Sequence, residues 1–312
     1  MIVAAVFIAC AAVLVMVSRE ADAAFPGKNG PIAFSSDRDG DFDIYTIRPD
    51  GSGLRRITNA PGSDSRPEWS PDGTKIAFDS DRDGDHEIYV KDLATGKVSQ
   101  LTNNTHPSSP QFQADQSPAW SPDGTRIAFS SNRDTLGELA GETYAERIFV
   151  MKADGSEVTR LTRGASHYQS DISWSPDGTQ LIYELGHDTE YSLAIMNADG
   201  SDMRLLLPFP TAPDERYPDW SPSGKKIVFT KGIDVDRTMD IWKMDPDGSD
   251  QKQLTNTPEN ESAPDWAPGG GKIVFERNGE LIQMDASDGS NQSNITNTPG
   301  YSELDPDWKA KP

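Results

Sequence analysis

One line is written five times along this chain of 312 residues, and a fragment of a sixth ends it. PEWSPDGTKIAF starts at Pro67, PAWSPDGTRIAF at Pro118, ISWSPDGTQLIY at Ile172, PDWSPSGKKIVF at Pro218 and PDWAPGGGKIVF at Pro264, and the last residues read PDWKAKP. The recurring Trp69, Trp120, Trp174, Trp220, Trp266 and Trp308 are separated, by subtraction of their positions, by 51, 54, 46, 46 and 42 residues. A period of about 40 to 50 residues is that of a four-stranded propeller blade, so one ring of stacked units is expected rather than two unrelated domains.

Each unit reads as four short strands. Strand A ends at the Trp, and a Ser-Pro-Asp-Gly turn such as Ser70 to Gly73 follows, with Pro setting one φ and Gly supplying the positive one. Strand B is a short apolar run: Ile32 to Phe34, Ile76 to Phe78, Ile127 to Phe129, Leu181 to Tyr183, Ile227 to Phe229 and Ile273 to Phe275. Such runs bounded by turn residues are buried-strand signals. Strand C is expected at Asp43 to Tyr45, Glu87 to Val90, Arg147 to Val150, Ser192 to Met196, Asp240 to Trp242 and Glu280 to Met284. Asp-Gly-Ser turns then lead to strand D, placed at pairs such as Ile57-Thr58, Leu101-Thr102, Leu161-Thr162, Leu254-Thr255 and Ile295-Thr296. The first strand B has no strand A before it, and the last strand A, ending at Trp308, has no strand B after it. The fold expected is therefore an all-β, six-bladed propeller in which the C-terminal strand completes the N-terminal blade and hides the free edges.

Hydrophobic content of 35%, with 23 Pro and 26 Gly, suits many short strands joined by turns. The formal charge of −21 excludes a nucleic-acid surface, because its field repels phosphate. Ile2 to Val17 is an apolar run followed by Ala21-Asp22-Ala23, which reads as a signal peptide over residues 1–23 preceding a single propeller domain over 24–312. A periplasmic or secreted protein is expected, with no membrane span in the mature chain; an uncleaved segment would make it an anchored one. The sole cysteine, Cys10, lies in that segment, so no disulfide holds the propeller. The mature protein is expected to be a monomer.

The units WSPDGTKIAFDSDRDGDHEIYV and WSPDGTRIAFSSNRD resemble the repeats of the TolB propeller family, and the likeness runs from Pro31 to Trp308. The resemblance implies a six-bladed fold and a theme of binding protein or peptide partners. TolB itself carries an α/β domain ahead of its propeller and binds the Pal lipoprotein. Only Ala24 to Gly30 would precede the first strand here, so the resemblance carries over the propeller alone. Similar propellers also serve as scaffolds of carbohydrate lyases or precede peptidase domains, and fold does not choose among these roles.

The A-to-B and C-to-D hairpins are short, whereas the B-to-C and D-to-A loops vary and emerge together on the opposite face, where function is most readily grafted. Two acidic B-to-C loops lie there, with Asp37, Asp39 and Asp41 around Gly40, and Asp81, Asp83 and Asp85 around Gly84. Alternating carboxylates at a sharp turn suit Ca²⁺, a hard cation taking about 6–8 oxygens. The alternative is that these side chains accept backbone N–H bonds or pair with the neighbouring Arg. No other cofactor is implied. All four histidines, His86, His106, His167 and His187, also fall in loops of this face. They are the candidate ligands of a second reading, a metal-assisted polysaccharide lyase or hydrolase. A G-x-S-x-G elbow, an H-E-x-x-H helix and a P-loop are all absent from the sequence, so a non-enzymatic binding module is the first reading.

Overall fold

The computed structural model describes residues 28–104, 114–133, 145–163, 168–187, 190–207, 214–232 and 238–311. Blade 1 takes β1 (Lys28–Ser36), β2 (Asp43–Ile47) and β3 (Arg55–Arg56). Blade 2 is β4 (Asp64–Trp69), β5 (Lys75–Ser80), β6 (Glu87–Asp92) and β7 (Val98–Gln100). Blade 3 is β8 (Asp115–Trp120), β9 (Arg126–Ser131), β10 (Arg147–Lys152) and β11 (Thr159–Arg160). Blade 4 is β12 (Tyr168–Trp174), β13 (Gln180–His187), β14 (Glu190–Asn197) and β15 (Arg204–Leu205). Blade 5 is β16 (Glu215–Trp220), β17 (Ile227–Gly232), β18 (Met239–Met244) and β19 (Lys252–Gln253). Blade 6 is β20 (Glu261–Trp266), β21 (Lys272–Arg277), β22 (Glu280–Asp285) and β23 (Ser293–Asn294). The last strand, β24 (Glu303–Lys311), pairs antiparallel with β1 and gives blade 1 its strand A, so the ring closes as expected.

Closure is specific. Ile32 stands opposite Trp308, and the Trp308 indole Nε1 donates to the Gly30 carbonyl at 3.0 Å. β24 runs past Trp308 to Lys311, which pairs with Lys28.

The core is divided among six junctions between blades rather than gathered at one centre. At one junction Ala33, Ile44 and Ile57 of blade 1 pack on Trp69, Ile76, Phe78 and Tyr89 of blade 2; the same positions recur at the other five. Each ring Trp therefore fills a wedge between two twisted sheets, and removing any one opens a cavity in a close-packed interior.

Turn chemistry holds the hairpins. In the first Ser-Pro-Asp-Gly turn the Gly73 amide donates to the Ser70 carbonyl at 2.7 Å, and Asp72 Oδ1 accepts from Ser70 Oγ at 2.7 Å and from the Thr74 amide at 2.9 Å. Strand D lies slightly earlier than its sequence signal. The outer ladders are Arg55–Arg56, Thr159–Arg160 and their equivalents. The apolar-Thr pairs follow them and act as latches: Ile57 donates its amide to the Ile44 carbonyl at 2.7 Å, and Thr58 Oγ1 accepts from the Ile44 amide at 2.8 Å. Thr102, Thr162, Thr255 and Thr296 repeat the second bond in blades 2, 3, 5 and 6. A threonine hydroxyl replaces the ladder acceptor, which is why the pattern outlasts the strand.

Candidate functional site: the axial channel

Strand A of every blade lines the axis, and all six bend in the same way. Their ladders with strand B all slip at one common point, and the residue in that slip has a positive φ: Arg66 49°, Ser117 52°, Asp171 48°, Tyr217 51°, Ala263 45° and Asp305 52°; blade 1 has a second slip near Asn29. A proline follows in five blades and Ile172 in the sixth. Proline has no N–H to donate, and the innermost strand, unpaired on its axial side, tolerates that loss at a bulge. Two positions of strand A face the axis here, the bulge residue and the second residue after it.

The first position is the bulge residue. Arg66 is the cation there, and its Nη1 lies 3.2 Å from Asp79 Oδ1 on strand B of the same blade. Burial raises the carboxyl of Asp305 to about 6, although Arg66 opposes the shift. The second position directly precedes the Trp: Glu68, Ala119, Ser173, Asp219, Asp265 and Asp307. These residues form a belt in which each blade's side chain accepts the amide N–H of the next blade's Trp. Glu68 accepts from Trp120 at 2.9 Å, Ser173 from Trp220 at 3.3 Å, Asp219 from Trp266 at 3.0 Å and Asp265 from Trp308 at 2.8 Å. Asp307 accepts from Trp69 and carries the belt across the closure. At the junction of blades 3 and 4 Ala119 offers no side-chain acceptor, and the Trp174 indole instead donates to the Ala119 carbonyl at 3.0 Å.

The belt gathers negative charge. Glu68, Asp219, Asp265 and Asp307 are each half-buried and line the axial cavity. Burial is the largest influence and drives all four carboxyls upward, to about 6 for Asp219 and about 7 for Asp307, while their neighbours in the belt add repulsion for Glu68, Asp265 and Asp307. Together the two positions line an axial cavity of about 200 Å³ reaching from the bulge residues to Pro122, Pro222 and Pro268 of the A-to-B hairpins.

The acidic loops singled out from sequence stand apart from this cavity. Asp37 Oδ1 accepts the Ser302 amide at 2.8 Å and Asp81 Oδ1 the Ser63 amide at 2.6 Å, tying each B-to-C loop to the preceding D-to-A loop. Asp39 accepts from the Tyr45 hydroxyl and faces Arg56 Nη1 at 3.3 Å; Asp83 accepts from Gln100 Nε2 at 2.6 Å. Asp41 and Asp85 are half-buried, and burial, then the charge of Asp83, raises the Asp85 carboxyl. Arg82 turns back over Phe78 and Tyr89, 5.3 and 4.5 Å from the ring centres, and holds Asp64 at 2.6 Å. Among the described residues no group of three or more His, Cys, Asp or Glu is arranged to hold a metal ion.

His86 Nδ1 sits 3.3 Å from Asp79 Oδ2, and that hydrogen bond is the main reason its pKa is raised. The backbone of His187 pairs with Glu190 at the end of the β13–β14 ladder; its side chain, like all of His106 and His167, lies outside the described residues. Sequence reasoning read the Trp only as the end of strand A and the residues after it as turn, and so passed over the residue before it. The available signal was a polar side chain before the Trp in five of six repeats, where a buried strand has no need of one.

Comparison with known proteins agrees with this architecture. The sequence model of the TolB beta propeller domain matches residues 18–117 and 111–311. A TolB homologue of Chlorobaculum tepidum is 38% identical over 133 residues, 43% of this chain and 27% of that protein, and one of Chlorobium luteolum is 39% identical over 70 residues, 22% of this chain and 16% of that protein. The matched segments thus span less than a third of these relatives. TolB of Acinetobacter baumannii superposes with a TM-score of 0.70 at 20% identity, covering 91% of this chain and 67% of that one. An oligogalacturonate lyase in complex with manganese superposes with a TM-score of 0.59 at 16% identity, covering 84% of this chain and 73% of that one. Identities this low in the structural matches speak for the fold alone. With the family's own repeat matched along nearly its whole propeller, the chain belongs to the TolB beta propeller domain family.

Proposed function

We propose that this protein is an exported, monomeric, non-enzymatic propeller that binds a protein or peptide partner in the periplasm or outside the cell, at the axial channel. The observation that carries the reading is the cavity itself, to which all six blades contribute and in which Trp and Pro walls surround a ring of carboxyl groups. Rigid apolar walls with a few placed polar groups are what a recognition pocket requires. The apolar run from Ile2 to Val17 and the Ala21-Asp22-Ala23 that follows it support export, and the resemblance to the TolB propeller family, with its theme of binding protein partners, supports a role in protein binding. Affinity capture from envelope and culture extracts, with a photo-reactive residue placed at Ser117 in the channel wall, tests it. A partner cross-linked at the channel is the expected result; no partner at micromolar concentration, or cross-links confined to the outer perimeter, would overturn it.

The likeness to a lyase crystallised with manganese favours one second reading, metal-assisted action on an acidic polysaccharide, with His86, His106, His167 and His187 as ligands. Metal analysis of the purified protein and of its His86→Ala variant decides that reading. Ca²⁺ at Asp37, Asp39, Asp41, Asp81, Asp83 and Asp85 is tested by melting with and without chelator, since a tight site raises the midpoint through ligand linkage.

A further inference from the structure

Blade 4 departs from the pattern of the other five at its outer edge. In those blades the strand D residue opposite the middle of strand C is Arg56, Gln100, Arg160, Gln253 or Asn294. Each of these polar side chains folds back on its own blade. Arg56 donates to Asp43, Gln100 Nε2 to Asp83 at 2.6 Å, Arg160 Nε to the Thr162 carbonyl at 2.7 Å and Gln253 Nε2 to Asp240 at 3.0 Å, while Asn294 Oδ1 accepts the Asn297 amide at 2.8 Å. In blade 4 the position is Leu205, opposite Ala194. The acid that could hold a polar side chain is missing as well: Asp43 and Asp240 correspond to Ser192, whose hydroxyl donates to the Leu207 carbonyl at 2.8 Å. Leu205 is 39% exposed and Met203, two residues earlier, 50%. Among the described residues six large apolar side chains are exposed, and Tyr168, Met203 and Leu205 place three of them on this one blade.

A second observation concerns the backbone. β15 is the last strand of its sheet, and the Leu206 amide donates to the Leu193 carbonyl at 2.8 Å. Hydrogen-bonded positions alternate in an antiparallel ladder, so Leu205 directs its own N–H and C=O outward. Side chains alternate too. Leu206 packs in the junction with blade 5, and the charge of Arg204 is felt by Asp247 of blade 5, which leaves Met203 and Leu205 on the opposite face. An edge that carries apolar side chains and outward main-chain groups, with no charge on that face, is a template for another strand.

We propose that the outer edge of blade 4 is a docking surface separate from the channel, and that it takes an extended segment of a protein partner as a fifth strand. The edge itself sets the chemistry of that segment. Its backbone pairs with the N–H and C=O of Leu205, apolar side chains on alternate residues cover Met203 and Leu205, and an acidic residue between them stands beside the exposed Arg204. Main-chain hydrogen bonds supply the affinity of such an added strand, and the alternate side chains supply its selectivity.

The test is amide hydrogen exchange of the full protein, isotope-labelled at leucine, with the end-blocked peptide Ser-Thr-Val-Glu-Val-Thr-Ser. At about 5 mM peptide, where even millimolar affinity is visible, exchange at the Leu205 amide should slow at least about tenfold. Methylating the backbone nitrogens of both valines should abolish that protection, because it removes the donors that pair with the edge. Leu205→Gln restores the residue type of blades 2 and 5, so its melt should stay cooperative while peptide binding falls at least about tenfold. Replacing the peptide's Glu by Lys should weaken binding to the wild type and make no difference to Arg204→Gln. Unchanged exchange at Leu205 overturns the proposal, as does equal binding by the wild type and Leu205→Gln. A concentration-dependent dimer in sedimentation that Leu205→Gln abolishes would assign the edge to a second copy of this chain and overturn the partner-strand reading. Cross-linking from Ser117 reports on the channel alone, so either surface can fail while the other stands.

Discussion

In four of the six blades strand A carries acid at two levels, and the two fare differently. At its outer end Asp64, Asp115, Glu215, Glu261 and Glu303 are buried, and each meets a cation from the end of strand B: Arg82 at 2.6 Å, Arg133, Lys231 at 3.0 Å, Arg277 at 2.6 Å and Arg38. Four of these cations, Arg38, Arg82, Arg133 and Arg277, also lie within 6 Å of the ring centre of their own blade's Phe. Blade 4 begins strand A with neutral Gln169, and its strand B correspondingly ends without an arginine, at Gly186-His187. Four residues further along, Glu68, Asp219, Asp265 and Asp307 accept amide N–H groups, have no ion pair among the described residues, and line one cavity. The same residue types are ion-paired where they staple loops and stand without a cation partner among the described residues where they line a cavity. Acid at the perimeter is thus architecture, and acid at the axis is available to a ligand.

The contrast breaks most sharply at a perimeter pair. Arg82→Ala leaves Asp64 buried without its cation and should cost about 3–5 kcal/mol in urea unfolding, because the charge is desolvated with no compensation. A loss under about 1 kcal/mol would place these pairs in the same class as surface ones. The axial ring should reveal itself through pH. Asp219 and Asp307 have folded pKa values raised to about 6 and about 7, so the folded state binds protons more tightly than the unfolded chain. Their contribution is fully present below the unfolded value near 3.8 and is lost as pH rises through about 7. The urea midpoint of the wild type should therefore fall between about pH 4 and pH 7, and Asp219→Asn with Asp307→Asn should flatten that fall. An unchanged slope would mean that these carboxyls are ionised throughout.

A smaller effect concerns a polar group belonging to neither level. Tyr183 is fully buried at a position held by Phe in the other five blades, and its hydroxyl has no partner among the described residues. Tyr183→Phe should raise stability by about 1 kcal/mol, since the buried hydroxyl is desolvated without return. The smallest change is expected at Lys152–Glu157, whose side chains are 52% and 67% exposed. Glu157→Gln should shift the unfolding free energy by less than about 0.5 kcal/mol.

Ring size, blade composition and closure were legible because each has a local cause. Trp spacing reports the blade period, Ser-Pro-Asp-Gly specifies its hairpin through φ values and side-chain acceptors, and a lone strand B at one end with a lone strand A at the other admits only one pairing. The outer strand was displaced by a residue or two because the Thr latch imitates a ladder bond. The channel was hidden for a different reason. Glu68 and Asp64 look alike in sequence, as do Asp307 and Glu303, and nothing local tells which will find an arginine.

That distinction is decided by the ring. Six bulged strands converge on one axis, bringing carboxyls from residues 68, 219, 265 and 307 into one belt although they lie up to 239 positions apart, as the difference 307 − 68 gives. Local chain chemistry determines which elements form and how they turn, since hydrogen bonds and φ preferences act over a few residues. Electrostatic environment depends on everything within several ångströms in space, and only the closed wheel places those groups together.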